Sequence, residues 1–183
     1  RGCVPTYNGY EKDRKTPTYG GYSSQIVVDE LYALSISPTL SLERVAPLLC
    51  AGITTYSPIM HWKIGKGHRV GVLGLGGLRH MAVKFAVAMG AEVTVLSTSK
   101  NKEGDAKKLG AAHFVLTTDD SVMRSQRNSL DFSIDNVSAS HDFNQYLSLL
   151  KRDGTLIVVG IPSTPATINN FALINGRKKI GGS

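Results

Sequence analysis

An α/β architecture, with a doubly wound parallel sheet preceded by a β-rich segment, is what the sequence predicts, on three grounds. From residue 68 onward short β-branched runs alternate with helical patterns, as repeated β-α-β units do. The first of those runs ends in a glycine cluster, GLGGLRH at 74–80, that opens an amphipathic helix. Ahead of residue 68 the texture changes, and TPTYGGYSSQIVVDELYALSIS reads as turn-rich and strand-like.

Taken in order, Ser41 opens a helix over SLERVAPLLCAGITTYSPIMHW, with Pro47 bending it. HRVGVLG is the first strand of the sheet. In LRHMAVKFAVAM the residues Leu78, Met81, Ala82, Phe85, Ala86 and Met89 recur at three-and-four spacing, so a helix buries that face and turns His80 and Lys84 outward. EVTVLS is a second strand, NKEGDAKKLGA a helix, HFVLTT a third strand and DFSIDNV a fourth. HDFNQYLSLLK is a helix, GTLIVVGIP a fifth strand, and GRKKIGGS starts a sixth. The chain begins without methionine and ends on GGS in a strand-like run, which reads as a piece of a longer protein.

Composition narrows the function classes. With 183 residues and 42% hydrophobic side chains the chain can bury one good core. No apolar run approaches the ~20 residues of a membrane helix, and the basic start RGCVPTYNGYEKDRK is followed by no signal-peptide core. A cytoplasmic protein with no membrane partner is the expectation. The net charge of +7 is scattered over KDRK, HWKIGKGHR, KNKEGDAKK and GRKK with acids among them. No aromatic and basic platform of the kind that holds single strands accompanies it, so nucleic acid is not an expected partner. Two cysteines, Cys3 and Cys50, make no disulfide framework, and Cys50 in APLLCAGI reads as a buried thiol or a thiolate ligand.

The glycine cluster carries the chemistry. Gly74 makes the tight turn, Gly76 lets a pyrophosphate approach the backbone, and the amides of Gly77 and Leu78 open the helix toward an anion. Glycines alone can merely turn a strand into a helix; the strand–glycines–helix order is what raises the pattern to a cofactor site. Arg79 stands where such a fingerprint has its last glycine. On a wheel turning ~100° per residue it lies on the flank of the apolar face, so its stem can follow the packing seam while the guanidinium reaches solvent. It either displaces a close-packing glycine or clamps a phosphate. The first is the expectation, because the backbone amides of Gly76, Gly77 and Leu78 already serve a phosphate.

An NAD site places Asp or Glu ~20 residues after the glycines. Here the second strand ends in Ser97, Thr98 and Ser99, followed by Lys100 and Lys102. Hydroxyls and a lysine with no carboxylate favour a 2′-phosphate, hence NADP over NAD; read without the glycine turn, STSKNK is an ordinary loop and helix cap.

Together TYGGYSSQIVVDE, APLLCAGITTYSP, GVLGLGG, MAVKFAVAMGAEVTVLSTS and LGAAHFV resemble the zinc-dependent medium-chain alcohol dehydrogenases, in their cinnamyl-alcohol-dehydrogenase-like branch, from about residue 6 to the end. The resemblance implies residues 1–45 as the C-terminal part of a GroES-like catalytic domain and 46–183 as a Rossmann domain binding NADP. It further implies a dimeric enzyme that interconverts primary alcohols and aldehydes. Under it Cys50 matches a ligand of the catalytic zinc, and Thr54, one helical turn on, a residue that touches the nicotinamide. Gly74, Leu75, Gly76, Gly77 and Leu78 match the pyrophosphate turn, and Ser97, Thr98, Ser99 and Lys102 the 2′-phosphate set. Val159, Gly160, Ile161 and Ser183 match the wall around the nicotinamide ring.

Three departures accompany these matches. Asn136 sits where many members have a small hydroxyl residue. The family's other zinc ligands fall on segments N-terminal to this sequence, and the five histidines, at 61, 68, 80, 113 and 141, show no pair at metal-ligand spacing. The chain by itself is therefore expected neither to complete a zinc site nor to oxidise alcohols. Only Trp62, Tyr56 and Met60 are expected to border a substrate pocket. Two other readings share parts of this pattern: a zinc-free quinone or enoyl reductase, against which Cys50 in LLCAG argues, and a non-catalytic NADPH-binding or structural protein.

Overall fold

The computed structural model describes residues 4–21 and 24–183, so Cys3 lies outside the described residues. The chain divides into two compact units, 1–41 and 42–183. In the first, strands β1 (Tyr7–Tyr10) and β2 (Pro17–Tyr19) form an antiparallel hairpin. Asp13 organises its turn, accepting from the Lys15 and Thr16 backbone N–H groups at 2.8 and 2.9 Å. The strand-like run after it forms no further strand among the described residues; it holds a single 3₁₀ turn, Glu30–Tyr32, capped by Asp29. Val27 there is fully exposed. β-branched residues alone do not make a strand without a ladder partner.

In the second unit the helix expected over 41–62 is broken by Pro47. It gives α1 (Leu42–Val45), a 3₁₀ turn Ala46–Leu49, and α2 (Ala51–His61). Six parallel strands follow: β3 (Arg69–Leu73), β4 (Glu92–Ser97), β5 (His113–Leu116), β6 (Leu130–Asp135), β7 (Leu150–Val158) and β8 (Lys179–Gly182). Their order is β5-β4-β3-β6-β7-β8, every pair parallel. The intervening helices are α3 (Gly77–Ala88), α4 (Glu103–Lys108), α5 (Asp120–Ser125), α6 (Phe143–Leu149) and α7 (Asn170–Ile174).

Each central strand is buried on both sides, which is why its sequence is a nearly unbroken apolar run. Val70, Val72, Val93, Val95, Ile134 and Ile157 meet α2, α3 and α4 on one face. Leu73, Leu96, Leu130 and Leu156 meet α5 and α6 on the other. Each fully buried Leu, Ile or Val contributes about 1.5–3 kcal/mol of transfer free energy. On α3 the buried stripe is Ala82, Val83 and Ala86, while Leu78 and Met89 are each 36% exposed. The stripe is turned from the expected one because α2 packs alongside, bringing Tyr56 edge-on to Phe85 with ring centroids 5.5 Å apart.

Two short helices escaped the sequence reading. Both are six residues or fewer and are announced only by their caps: Asp119 accepts from the N–H groups of Ser121 and Val122, and Asn169 from that of Phe171.

Candidate functional site

The strand order reverses at β3, since the chain winds outward through β4 and β5 and then returns to β6 on the other side. At such a switch point the connections diverge and leave a crevice beyond the carboxyl ends of the strands. The glycine cluster sits there. Gly74 has φ +78°, a left-handed conformation that a side chain strains. Gly76 caps α3 with extended backbone, no side-chain cap bond and no acidic residue in the helix's first turn. A Cβ on Gly77 would meet nothing within 4 Å. The first N–H groups of a 12-residue helix are thus presented to the crevice with their partial positive charge unanswered by a carboxylate. Leu75 is buried, so it offers the crevice backbone only.

Arg79 departs from the sequence expectation. Its guanidinium does not turn to solvent; it folds back over the glycine turn, and Nη2 donates to the Asn136 carbonyl at 3.2 Å. The space left by two missing side chains admits it, for a Cβ on Gly74 would lie 3.0 Å from Arg79 Nη1 and one on Gly76 3.3 Å away. Asn136 itself is 3% exposed, and neither its Oδ1 nor its Nδ2 has a hydrogen-bond partner.

At the end of β4 the predicted residues separate into two roles. Ser97 is buried, and its Oγ accepts from the Ser99 N–H at 3.2 Å and donates weakly to the Ser99 carbonyl at 3.4 Å. It shapes the loop. Thr98 is exposed and Ser99 and Lys102 are half-buried. Neither the 3₁₀ turn Lys100–Lys102 nor α4 has a side-chain cap bond, so the Ser99 hydroxyl is not taken up as an ordinary helix cap. The first carboxylate beyond the strand, Glu103, is held below the usual range by its hydrogen bond and charge contact with Lys107, 2.8 Å away one helical turn on.

The carboxyl ends of β6 and β7 are tied together. The N–H groups of Val159 and Gly160 both donate to the Asp135 carbonyl, at 2.8 and 2.9 Å, and Ser183 N–H donates to the Val158 carbonyl at 3.2 Å. Val159 and Gly160 are therefore held beside the chain that leaves β6, and Ser183 beside the end of β7, while Ile161 projects outward at 86% exposure. Sequence reasoning missed what anchors this wall. Asp135, 1% exposed, accepts from His141 Nε2 at 2.7 Å through Oδ2 and from Val137 N–H at 2.9 Å through Oδ1. His141 Nδ1 faces the Ala139 carbonyl at 2.8 Å. Both ring nitrogens of His141 are thus engaged, which fixes the orientation of the imidazole. The ring also stacks on Phe143 with centroids 4.9 Å apart. An aspartate ending a strand six residues before a histidine is too common a pattern to have signalled this. On the α6 side the loops after β6 and β7 enclose a cleft of about 430 Å³ between His141, Asp142, Pro162 and Thr164, which no predicted site residue lines.

Cys50 is exposed rather than buried, and its carbonyl accepts from the Thr54 N–H at 3.0 Å across the first turn of α2. Among the described residues no three His, Cys, Asp or Glu side chains come together as a metal site. Trp62 and Tyr56, expected near a substrate pocket, are packing residues. Trp62 joins the core of the α2–α3 face, and a Cβ on Gly181 would come within 2.6 Å of its ring. Met60 is half exposed. No helix among the described residues is long and apolar enough to cross a membrane.

Comparison with known proteins agrees with this geometry. Residues 77–183 match the family model described as zinc-binding dehydrogenase. The chain is 50% identical over 182 residues to NADP-dependent alcohol dehydrogenase C 1 of Mycolicibacterium smegmatis, and 49% identical over 183 residues to a probable formaldehyde dehydrogenase of Bacillus subtilis. Each match takes in 100% of this chain and 52% of the relative, so the chain spans about half the length of the curated relatives it matches. Among solved structures, a cinnamyl alcohol dehydrogenase from Sorghum bicolor superposes with TM-score 0.94 at 43% identity, over 98% of this chain and 52% of that one. The Helicobacter pylori enzyme complexed with NADP(H) does so with TM-score 0.88 at 44% identity, over 97% and 51%.

Proposed function

Because the chain belongs to the zinc-binding dehydrogenase family, we propose that it is the dinucleotide-binding part of an oxidoreductase that moves a hydride between NADP(H) and a primary alcohol or aldehyde. In this reading residues 1–45 contribute to a catalytic domain, residues 46–183 bind the cofactor, and the assembled enzyme is a cytoplasmic homodimer. The observation that carries the reading is the switch-point cradle: two glycines whose Cβ positions border the crevice and a long helix with no cap or acid at its N-terminus.

The residues fit NADP. Backbone amides of Gly77 and Leu78 would hold the pyrophosphate, Thr98, Ser99 and Lys102 the 2′-phosphate on the loop that Ser97 shapes, and Val159, Gly160, Ile161, Ser183 and Thr54 the nicotinamide side. When bound, the cofactor accepts or gives the hydride; the chain's own part is to bind, orient and exclude water. Zinc is a different matter. Cys50 offers one exposed thiol of suitable chemistry, and we assign it as one ligand, but the described residues bring no set of three donors together.

Fluorescence titration tests the cofactor choice. NADPH is expected to bind more tightly than NADH by about 2–4 kcal/mol, from charge-assisted hydrogen bonds at ~1.5–3 kcal/mol each less screening. Equal affinities, or a preference for NADH, would refute the reading of the β4 loop.

A further inference from the structure

Three groups at the switch point are out of balance with their surroundings. Arg79 carries a full positive charge to the positive end of α3, where the helix dipole disfavours it. No acidic residue lies in that helix's first turn, and among the described residues no carboxylate pairs with the guanidinium. Of its five N–H donors one has an acceptor, the neutral carbonyl of Asn136 at 3.2 Å. The side-chain amide of Asn136 is buried with both polar atoms unpartnered. Asn136 is the first residue past β6, and continuing the strand's alternation by that one residue puts it on the face where Ile134 packs against α3, opposite Asp135, which turns to His141. Local conflicts of this kind concentrate where a ligand resolves them.

One dianionic group between the ends of β3 and β6 resolves all three. It supplies the acid that the α3 terminus lacks, acceptors for the idle guanidinium donors, and an oxygen for Asn136 Nδ2. The Arg79 side chain now lies against Gly74 and Gly76, in the space through which a pyrophosphate reaches the backbone amides. Diphosphate and guanidinium cannot share that space, so the arginine must move as the cofactor enters. Its nearest new partners are the phosphate oxygens themselves. Resting on the dinucleotide reading above, we propose that Arg79 is a retractable phosphate clamp. It releases the Asn136 carbonyl, swings over the diphosphate and exchanges one long hydrogen bond to a neutral oxygen for charge-assisted ones, while Asn136 Nδ2 donates to the ligand from below. This replaces the packing role expected from the helical wheel.

The experiment is isothermal titration of the full chain and its Arg79→Gln and Arg79→Lys variants with NADPH and with adenosine 2′-monophosphate, at several salt concentrations. Adenosine 2′-monophosphate keeps the contact at the β4 loop and has no diphosphate. Arg79→Gln is expected to weaken NADPH about tenfold and to flatten the salt dependence of its binding, leaving adenosine 2′-monophosphate unchanged; Arg79→Lys falls between. Unchanged NADPH affinity overturns the clamp, and tighter binding overturns it in favour of a plug that only obstructs. Equal weakening of both ligands overturns it as well, by showing that the turn has collapsed, and thermal unfolding of the lysine variant checks that reading independently. If the parent chain binds neither ligand, it is the dinucleotide reading that fails.

Discussion

Replacing Gly160 with alanine places a methyl group where backbone already lies. An ideal Cβ there comes within 2.6 Å of the Val137 carbonyl oxygen, 2.7 Å of the Asn136 carbonyl carbon and 2.8 Å of that of Val137. Carbon contacts are favourable only near ~3.5–4.0 Å, so about 1 Å of separation must be found. The neighbours cannot give it cheaply. Val159 and Gly160 N–H both hold the Asp135 carbonyl, and Val137 N–H holds the Asp135 carboxylate, which His141 fixes in turn. Overpacking of this kind costs ~1–3 kcal/mol, and losing the Gly160 N–H bond adds ~0.5–1.5 kcal/mol. A net loss of about 2–3 kcal/mol is expected, which at ~2–4 °C per kcal/mol for a chain of this size lowers Tm by roughly 4–12 °C. Circular dichroism melting measures it. Titration adds a second reading, which rests on the proposed assignment of this wall to the nicotinamide side: NADPH is expected to weaken while adenosine 2′-monophosphate does not. Gly104→Ala is the control, with nothing within 4 Å of its Cβ, and is expected to gain ~0.5–1 kcal/mol as alanine replaces glycine inside α4. A Gly160→Ala protein that melts with its parent and binds NADPH equally would refute the reasoning about this wall.

Removing His141 leaves Oδ2 of Asp135, a residue 1% exposed, without its hydrogen-bond partner; His141→Ala is expected to cost ~1–3 kcal/mol in urea unfolding, and a loss under about 0.5 kcal/mol would show the contact to be incidental. Asp131 predicts an acid dependence: burial works to raise its pKa, but the Arg69 N–H bond and the Lys151 ammonium outweigh it and hold the carboxyl below the ordinary range. Its stabilising contribution is then complete above the unfolded carboxylate pKa and is lost as pH falls through the lower folded value. The difference in Tm between the parent and Asp131→Asn should shrink over that acid window; a difference that stays constant with pH would contradict the assignment.

How much of this was legible in the sequence depends on how local the cause is. The strand EVTVLS reads directly as β4 because its β-branched and aliphatic residues suit a strand buried from Val93 to Ser97. Gly74 reads as a turn because its φ of +78° excludes most other residues. The pairing that makes a strand is not local, and IVVDELYALSIS, with the right residue types, forms none among the described residues. The stripe on α3 shifted because periodicity records that a helix has an apolar side, and the packing of α2 decides where that side points. At the site the same division holds. The glycines announced the turn at the crevice, since a left-handed conformation and an open approach to the backbone demand that residue type. Arg79 and Asn136 stood out singly as departures, but their contact did not, because what joins them is the meeting of β3 with β6 some sixty residues further along the chain. The wheel sent Arg79 to solvent by considering its own helix alone. The carbonyl that captures it belongs to another strand, and its capture leaves a cation at a helix N-terminus beside an unsatisfied amide. On the proposal that Arg79 clamps a diphosphate, this imbalance is the resting form of a site whose missing anionic party is the cofactor.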